Sequence, residues 1–169
     1  MHNNNYERIK DMIFTTTTAT KEFTFCAAHL LGGHDGKCKN LHGHNFQLTV
    51  TCKPFTEAME VGEDGLIPFG SSEGMIIDFK DLKDMVNKYI IDKLDHSFIY
   101  DINDVNQCEI ATLLTAKGMK VFPFEKRTTC EHLAKWIFAE LRKELIPVCN
   151  IKLRESPTSY AEVTDLCKS

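Results

Sequence analysis

Two histidines in the first third of the chain are spaced so that they could bind one metal ion. His42 and His44 are separated by a single residue, so in an extended segment their side chains point to the same side. Both are in phase with Phe46, the first apolar residue of a segment in which apolar and polar residues alternate. A single histidine on an apolar face is most often a hydrogen-bonded core residue. Two at this spacing, with a third nearby, favour a metal site.

The third histidine is His29, which ends a β-prone segment on the same face as its phenylalanines. Pairing of the two segments through the intervening glycine-rich loop would bring the three imidazoles together. Three neutral histidines leave one position of a tetrahedral zinc ion open, which is typical of a catalytic site rather than a structural one. We therefore expect His29, His42 and His44 to bind Zn²⁺. His34, in the glycine-rich loop, is an alternative ligand.

One cysteine lies between these histidines and could act as a base beside the metal. Cys38 is flanked by Lys37 and Lys39, and neighbouring ammonium groups and a metal favour the thiolate form of a cysteine. Considered alone, Cys38 could equally be an ordinary exposed thiol. Its position between the candidate ligands favours the reactive role. The other six cysteines are scattered and have no such surroundings, which predicts buried or inert thiols.

A glutamate near the end of the chain is expected to point into the protein. Glu155 is in phase with Ile151 and Leu153, whereas the lysine and arginine between them have the opposite phase. An inward carboxylate is costly unless hydrogen-bond donors satisfy it. Two explanations remain open from the residues alone: the donors belong to a bound ligand, or to an arginine elsewhere in the chain.

The elements that must position these residues follow the order β-β-α-α-β-β. Alternation predicts strands that end near His29 and Cys52 and two more strands within 148–155 and 159–166. Asp78 is a predicted N-cap for a helix ending near Leu94, and the S/T-x-x-E capping box from Thr128 to Glu131 starts a second helix that Pro147 ends. This pattern predicts an α+β fold, in which a four-stranded antiparallel sheet carries two helices on one face.

The remaining segments and the composition restrict the class of protein. We expect one domain over 1–169, with a polar N-terminal extension at 1–12 and long loops at 54–73 and 101–127; the second loop is expected to hold a short helix around 108–116. The net charge of −4 does not support a nucleic-acid-binding surface. No apolar run reaches the ~18 to 20 residues of a membrane span, and the polar N-terminal residues do not resemble a secretion signal. The expected location is the cytoplasm, with no nucleic-acid or membrane partner.

Several motifs together resemble the 6-pyruvoyl-tetrahydropterin synthase family, from about residue 20 to 165. They are F-x-A-A-H at 25–29, C-x-x-x-H-G-H-N at 38–45, G-M-I-I-D-F at 74–79, L-D-H at 94–96 and E-S-P-T-S at 155–159. Within the family, the likeness is strongest to its bacterial 6-carboxy-5,6,7,8-tetrahydropterin synthase branch, which serves queuosine (7-deazaguanine) biosynthesis. The chain departs from the simplest bacterial pattern in its longer segments 54–73 and 101–125 and in a missing proline at 127–131.

The resemblance implies an assembly and a role for each site residue. It implies the tunnelling fold, in which trimers close their sheets into a barrel, two trimers stack into a hexamer and active sites lie between subunits. It assigns zinc binding to His29, His42 and His44, and the catalytic base to Cys38. It further assigns a relay pair, supplied across a subunit boundary, to Asp95 and His96, anchoring of the pterin to Glu155, and positions near the pterin to Thr129 and Glu131.

The implied reaction is a zinc-dependent lyase reaction on 7,8-dihydroneopterin triphosphate. It would release triphosphate and acetaldehyde and leave 6-carboxytetrahydropterin. Two alternatives remain open: a 6-pyruvoyl-tetrahydropterin synthase, which eliminates triphosphate and keeps the side chain, and a zinc-stabilised binding protein without chemistry. Product analysis separates the first alternative, since only the 6-carboxy reaction releases acetaldehyde.

Overall fold

A single mixed sheet brings the ends of distant segments together. The computed structural model describes residues 17–54, 62, 66–68 and 70–166. Within these residues the sheet has six strands in the order β4-β3-β1-β2-β5-β6. Their bounds are β1 (Ala19–His29), β2 (His42–Cys52), β3 (Ser97–Asp101), β4 (Val121–Phe124), β5 (Val148–Ser156) and β6 (Ser159–Thr164).

Three helices pack on this sheet. Helix α1 (Phe79–Val86) continues through a π-helical turn (Asn87–Ile91) and ends in a last α-helical turn (Asp92–Leu94). Helix α2 is Val105–Ala116 and helix α3 is Cys130–Lys143. As the sequence predicts, Asp78 caps α1, and its side chain accepts a hydrogen bond of 2.6 Å from the Lys80 N–H. None of the helices in the described ranges combines the length and apolarity that crossing a bilayer requires.

The register of the central strand pair sets the inward face. β1 and β2 are antiparallel, with Phe23 opposite Leu48 and Phe25 opposite Phe46. These residues are buried and share one core with α1 and α3. Because alternate residues face opposite sides of a sheet, Cys26 and the β1 residues in phase with it face away from this core.

The predicted four-stranded antiparallel sheet is wrong: the sheet has two further strands and is mixed. β3 runs parallel to β1, and β4 runs parallel to β3. β3 is five residues long, too short for an alternation pattern to stand out. β4 contains Pro123, which argued against a strand, since proline is confined to strand edges. β4 is indeed an edge strand.

The prediction of a long loop at 101–127 is also wrong, because this range contains the whole of α2 and of β4. The Asp104 side chain caps α2, accepting hydrogen bonds from the N–H groups of Asn106 and Gln107. The helix therefore starts three residues before the expected Cys108. α2 was hard to place because its apolar residues do not form one stripe.

Helix α2 also corrects the expectation that the helices lie on one face only. Ala111 of α2 packs with Phe98 of β3, whereas the next strand residue, Ile99, belongs to the main core with α1 and α3. α2 therefore covers the opposite face of the sheet at β3 and β4. The other predicted ranges, 1–12 and most of 54–73, lie outside the described residues.

The start of α3 differs by one residue from the predicted capping box. Thr129, not Thr128, is the N-cap, and its hydroxyl accepts a 3.4 Å hydrogen bond from the His132 N–H. Thr128 is instead fully buried, and its hydroxyl donates to the Leu30 carbonyl over 3.0 Å. Two adjacent threonines offer two possible caps, and only the tertiary contact selects between them. The helix ends at Lys143 rather than at Pro147.

We predict that truncation of α1 in the core destabilises the protein. Leu82 is fully buried and belongs to the main core, so Leu82→Ala should lower the free energy of unfolding by about 2 to 5 kcal/mol. Leu113→Ala in α2 is the control, because Leu113 is 61% exposed and the change should stay within about 0.5 kcal/mol. Urea denaturation of both variants measures the difference. Equal effects would contradict the described packing.

Candidate metal centre and adjoining cavity

The ends of β1 and β2 bring the three predicted histidines together. His29 lies directly opposite His42 in the strand register, and Ala27 lies opposite His44. One nitrogen from each imidazole lies within 4.8 Å of the others. His29 is buried, with 1% exposure, and the other two are partly buried. The predicted convergence is confirmed.

Backbone carbonyls orient two of the imidazoles. The Nδ1 atom of His29 lies 2.8 Å from the Thr128 carbonyl, and Nδ1 of His42 lies 2.8 Å from the Asn40 carbonyl. A carbonyl only accepts, so each Nδ1 carries the proton and each Nε2 keeps its lone pair. Metal-binding histidines are commonly fixed in this way through the nitrogen that does not bind the metal.

The Nε2 atoms of His29 and His44 face a carboxylate oxygen and not a hydrogen-bond donor. Oε1 of Glu155 lies 3.3 Å from Nε2 of His29 and 3.4 Å from Nε2 of His44. These two Nε2 atoms are buried and make no hydrogen bond of good geometry. A lone pair of His29 facing a carboxylate oxygen is repulsive unless a cation or proton lies between them. The donor set and these orphaned nitrogens therefore fit a bound metal ion.

The pKa shifts within the cluster also favour the binding of a metal ion. The contact with His29 lowers the pKa of Glu155 below its usual value, against the effect of burial. Burial lowers the pKa of His44, although Glu155 opposes the change. Glu155 is therefore ionised and His44 is neutral, which are the forms that bind a metal or hydrogen-bond donors.

Cys38 shares a cavity with two of the histidines. It lies in a short 3₁₀ turn (Lys37–Lys39), and its carbonyl accepts a 2.8 Å hydrogen bond from the Leu31 N–H. The cavity has a volume of about 330 Å³. The predicted site residues that line it are His29, Cys38, His42, Thr129, Glu131 and Glu155. His34 also borders it, but the three-histidine cluster does not include His34.

Within one chain, Asp95 and His96 do not line this cavity. The two side chains are joined, with Asp95 Oδ2 2.9 Å from His96 Nδ1. The Asp95 carboxylate also accepts a 2.9 Å hydrogen bond from the Cys26 N–H, which lowers the pKa of Asp95. Both residues line a separate pocket with Cys26, on the sheet face opposite His29. One chain alone therefore does not bring the predicted pair next to Cys38.

His96 has an uncommon backbone conformation. Its φ of 57° is in the left-handed region, which is uncommon for residues other than glycine and is concentrated at functional sites. A lysine holds the segment in place: Nζ of Lys120 donates to the carbonyls of Asp92 and Asp95, each over 2.7 Å. Lys120 was not predicted, because it lies in the range expected to be a loop.

Comparison with known proteins assigns the chain to one family. The 6-pyruvoyl tetrahydropterin synthase family model matches residues 18–165. The chain belongs to this family. It is 45% identical over 144 residues to the 6-carboxy-5,6,7,8-tetrahydropterin synthase of Haemophilus influenzae, covering 85% of this chain and 95% of that protein. It is 38% identical to the enzyme of the same name from Aquifex aeolicus, over 75% of each chain.

Solved structures agree with the family assignment at the level of the fold. The 6-pyruvoyl tetrahydropterin synthase of Plasmodium falciparum matches with a TM-score of 0.59 and 21% identity, covering 90% of this chain and 99% of that one. An uncharacterized protein from Wolinella succinogenes matches with a TM-score of 0.66 and 19% identity over the same shares. The tetrahydropterin synthase fold therefore presents the histidine cluster and its cavity.

Two residues of this family member were missed by sequence reasoning. Thr128 was predicted as a helix cap, but its carbonyl orients His29 and its buried hydroxyl holds the end of β1. Arg127 borders the cavity with Cys38, and its Nε and Nη2 atoms are buried without a hydrogen-bond partner. The sequence offers no periodic signal for either residue, because both lie in the irregular segment before α3.

We predict that His42→Ala removes the metal. The variant loses one of three converging nitrogens, whereas His34→Ala removes a histidine outside the cluster. Elemental analysis after purification should therefore find stoichiometric metal in the wild type and in His34→Ala, and little in His42→Ala. Full metal content in His42→Ala, or its loss in His34→Ala, would contradict the ligand assignment.

Proposed function

We propose that this protein is a 6-carboxy-5,6,7,8-tetrahydropterin synthase. It converts 7,8-dihydroneopterin triphosphate to 6-carboxytetrahydropterin and releases acetaldehyde and triphosphate, for 7-deazaguanine and queuosine biosynthesis in the cytoplasm. The observation that carries the proposal is a cluster of three histidines, two of which line one cavity together with Cys38 and Glu155, in a chain 45% identical to an enzyme of that name.

His29, His42 and His44 would hold a Zn²⁺ ion. Three imidazole ligands leave one coordination position for substrate, as in catalytic zinc sites. When bound, the ion supplies Lewis acidity, which makes the carbon next to a coordinated hydroxyl easier to deprotonate. Cys38, in the same cavity, takes that proton as general base.

The acidic residues of the cavity would position the pterin ring. The 2-amino group and the ring N3–H of a pterin are donors, and an ionised carboxylate accepts from both. Glu155 is the residue for this role, because its pKa is lowered and it adjoins the histidines. Thr129 and Glu131, at the start of α3, line the same cavity and complete the pocket edge. Fixing the ring in this way holds the side chain near Cys38.

We further propose that the active site is completed between subunits of a homo-oligomer, a trimer or hexamer. Asp95 and His96 lie on the opposite sheet face from His29 in one chain, so they can reach Cys38 only in a neighbouring copy. There the pair would return or tune protons. Barrel closure between trimer subunits would also pair the edge strands β4 and β6, which otherwise expose unpaired backbone groups.

Product analysis tests the proposed reaction. Incubation of the metal-replete protein with 7,8-dihydroneopterin triphosphate should yield 6-carboxytetrahydropterin, triphosphate and acetaldehyde by mass spectrometry. A 6-pyruvoyl product without acetaldehyde would show the related elimination instead. Absence of turnover with any dihydropterin would indicate a binding protein and would overturn the proposal.

We predict that Cys38→Ala retains fold and metal but loses turnover. Removal of a general base typically costs about 10²- to 10⁴-fold in rate, and Cys38 is not one of the three clustered histidine ligands. Cys108→Ala is the matched control, since Cys108 is also partly exposed but lies in α2. Turnover and elemental analysis of both variants decide the point. Wild-type activity in Cys38→Ala would remove Cys38 from the mechanism.

A further inference from the structure

Arg127 is partly buried, and two nitrogens of its guanidinium have no hydrogen-bond partner in the described part of the chain. Its Nε and Nη2 atoms are buried and make no hydrogen bond, although Glu131 and Glu155 line the same cavity. A buried donor without a partner is costly, and native proteins retain such groups where function requires them. The partner must therefore come from outside the described residues, and Arg127 borders a cavity that a ligand could enter.

The backbone of Arg127 is held firmly at the start of α3. Its carbonyl accepts hydrogen bonds from the Thr129 N–H, at 2.8 Å, and from Nδ1 of His132, at 2.9 Å. The next residue, Thr128, binds His29 through its own carbonyl. The backbone of Arg127 is therefore fixed relative to the histidine cluster.

The two unpaired nitrogens define the shape of the missing partner. Nε–H and Nη2–H lie on one edge of the guanidinium and point in parallel, so they match two acceptors side by side. In guanine, O6 and N7 form such a pair, and arginine binds them as a fork. The O4 and N5 atoms of a 7,8-dihydropterin have the same arrangement, whereas its 2-amino and N3–H groups are donors suited to Glu155.

We infer that Arg127 binds the O4/N5 edge of the dihydropterin ring through Nε–H and Nη2–H, an inference that rests on the proposed function. Carboxylate on the donor edge and guanidinium on the acceptor edge together fix the ring in one orientation. A ring that lacks the N5 acceptor, or carries a hydrogen there, cannot satisfy the fork. Arg127 therefore selects the 7,8-dihydro oxidation state over the tetrahydro product.

The same contact stabilises the charge that forms in the first chemical step. When the Cys38 thiolate takes the proton from the side-chain carbon attached to C6, the C–H electron pair forms a double bond to C6. The electron pair of the C6=N5 bond then moves to N5, which becomes negatively charged. Arginine stays protonated in proteins, so Arg127 donates no proton and acts by placing positive charge beside N5.

Binding of unreactive pterins to the metal-replete protein tests this inference. Neopterin keeps both acceptors, and its fluorescence reports binding; its 5-deaza analogue replaces N5 by C–H. We expect Arg127→Gln to weaken neopterin binding by about 10- to 100-fold, and to weaken binding of the 5-deaza analogue much less. Lys126→Gln is the matched control, because this neighbouring lysine is exposed and lies outside the cavity. The affinities of the Lys126→Gln variant for neopterin and its 5-deaza analogue should stay at the wild-type values.

Stability and metal content separate ligand binding from a structural role. Because its buried donors are unpaired, replacing Arg127 should not lower the melting temperature of the unliganded protein, and the metal content should be unchanged. If Arg127→Gln does not fold, Arg127→Lys keeps the charge without the fork, and we expect the same weakening of neopterin binding in that variant.

Three results would overturn the inference. Wild-type neopterin affinity in the Arg127 variants would show that the fork is not used. A loss confined to neopterin triphosphate would place Arg127 on the phosphates, and an equal loss for neopterin and its 5-deaza analogue would remove N5 as a partner. If the wild type itself binds no pterin, the proposed function fails together with the inference.

Discussion

The antiparallel register between β1 and β2 is the constraint on which the site depends. It places His29 opposite His42, with His44 two positions further along and opposite Ala27, so that three imidazoles share one face. The same register buries the phenylalanines behind them in the core. A slip by one residue would turn the imidazoles to the opposite face and expose the phenylalanines. The core that stabilises the fold therefore also holds the three histidines in position.

The start of α3 is the second part of the fold that positions the site. In a few residues it supplies the carbonyl of Thr128 to His29, the cap Thr129 to its own helix, and Arg127 to the cavity. A helix start is suited to these roles because its backbone groups are fixed by the helix but not all used within it. The geometry of the histidine cluster and the cavity that we propose for the pterin are therefore coupled through one segment.

Much of the site could be predicted from local sequence, because strand phase and ligand spacing are short-range properties. The inward phases of the histidines and of Glu155, and the cap at Asp78, needed no tertiary information. β3, β4 and α2 were missed or misplaced because a five-residue strand, a strand containing Pro123 and a helix without an apolar stripe give weak periodic signals. Arg127 and Thr128 depend on long-range contacts that no spacing rule contains. In the proposed assembly, the positions of Asp95 and His96 relative to Cys38 depend on a neighbouring chain, which one chain does not specify.

X-ray absorption spectroscopy of the zinc-replete protein tests the central claim most directly, because it counts the atoms around the metal. Three histidine nitrogens and one open position predict only nitrogen or oxygen scatterers at about 2.0 to 2.1 Å, with the imidazole pattern of multiple scattering, in the wild type and in Cys38→Ala alike. A sulfur scatterer at about 2.3 Å that disappears in Cys38→Ala would show a closed site with Cys38 as a ligand. That result would contradict the account of a base beside an open metal centre.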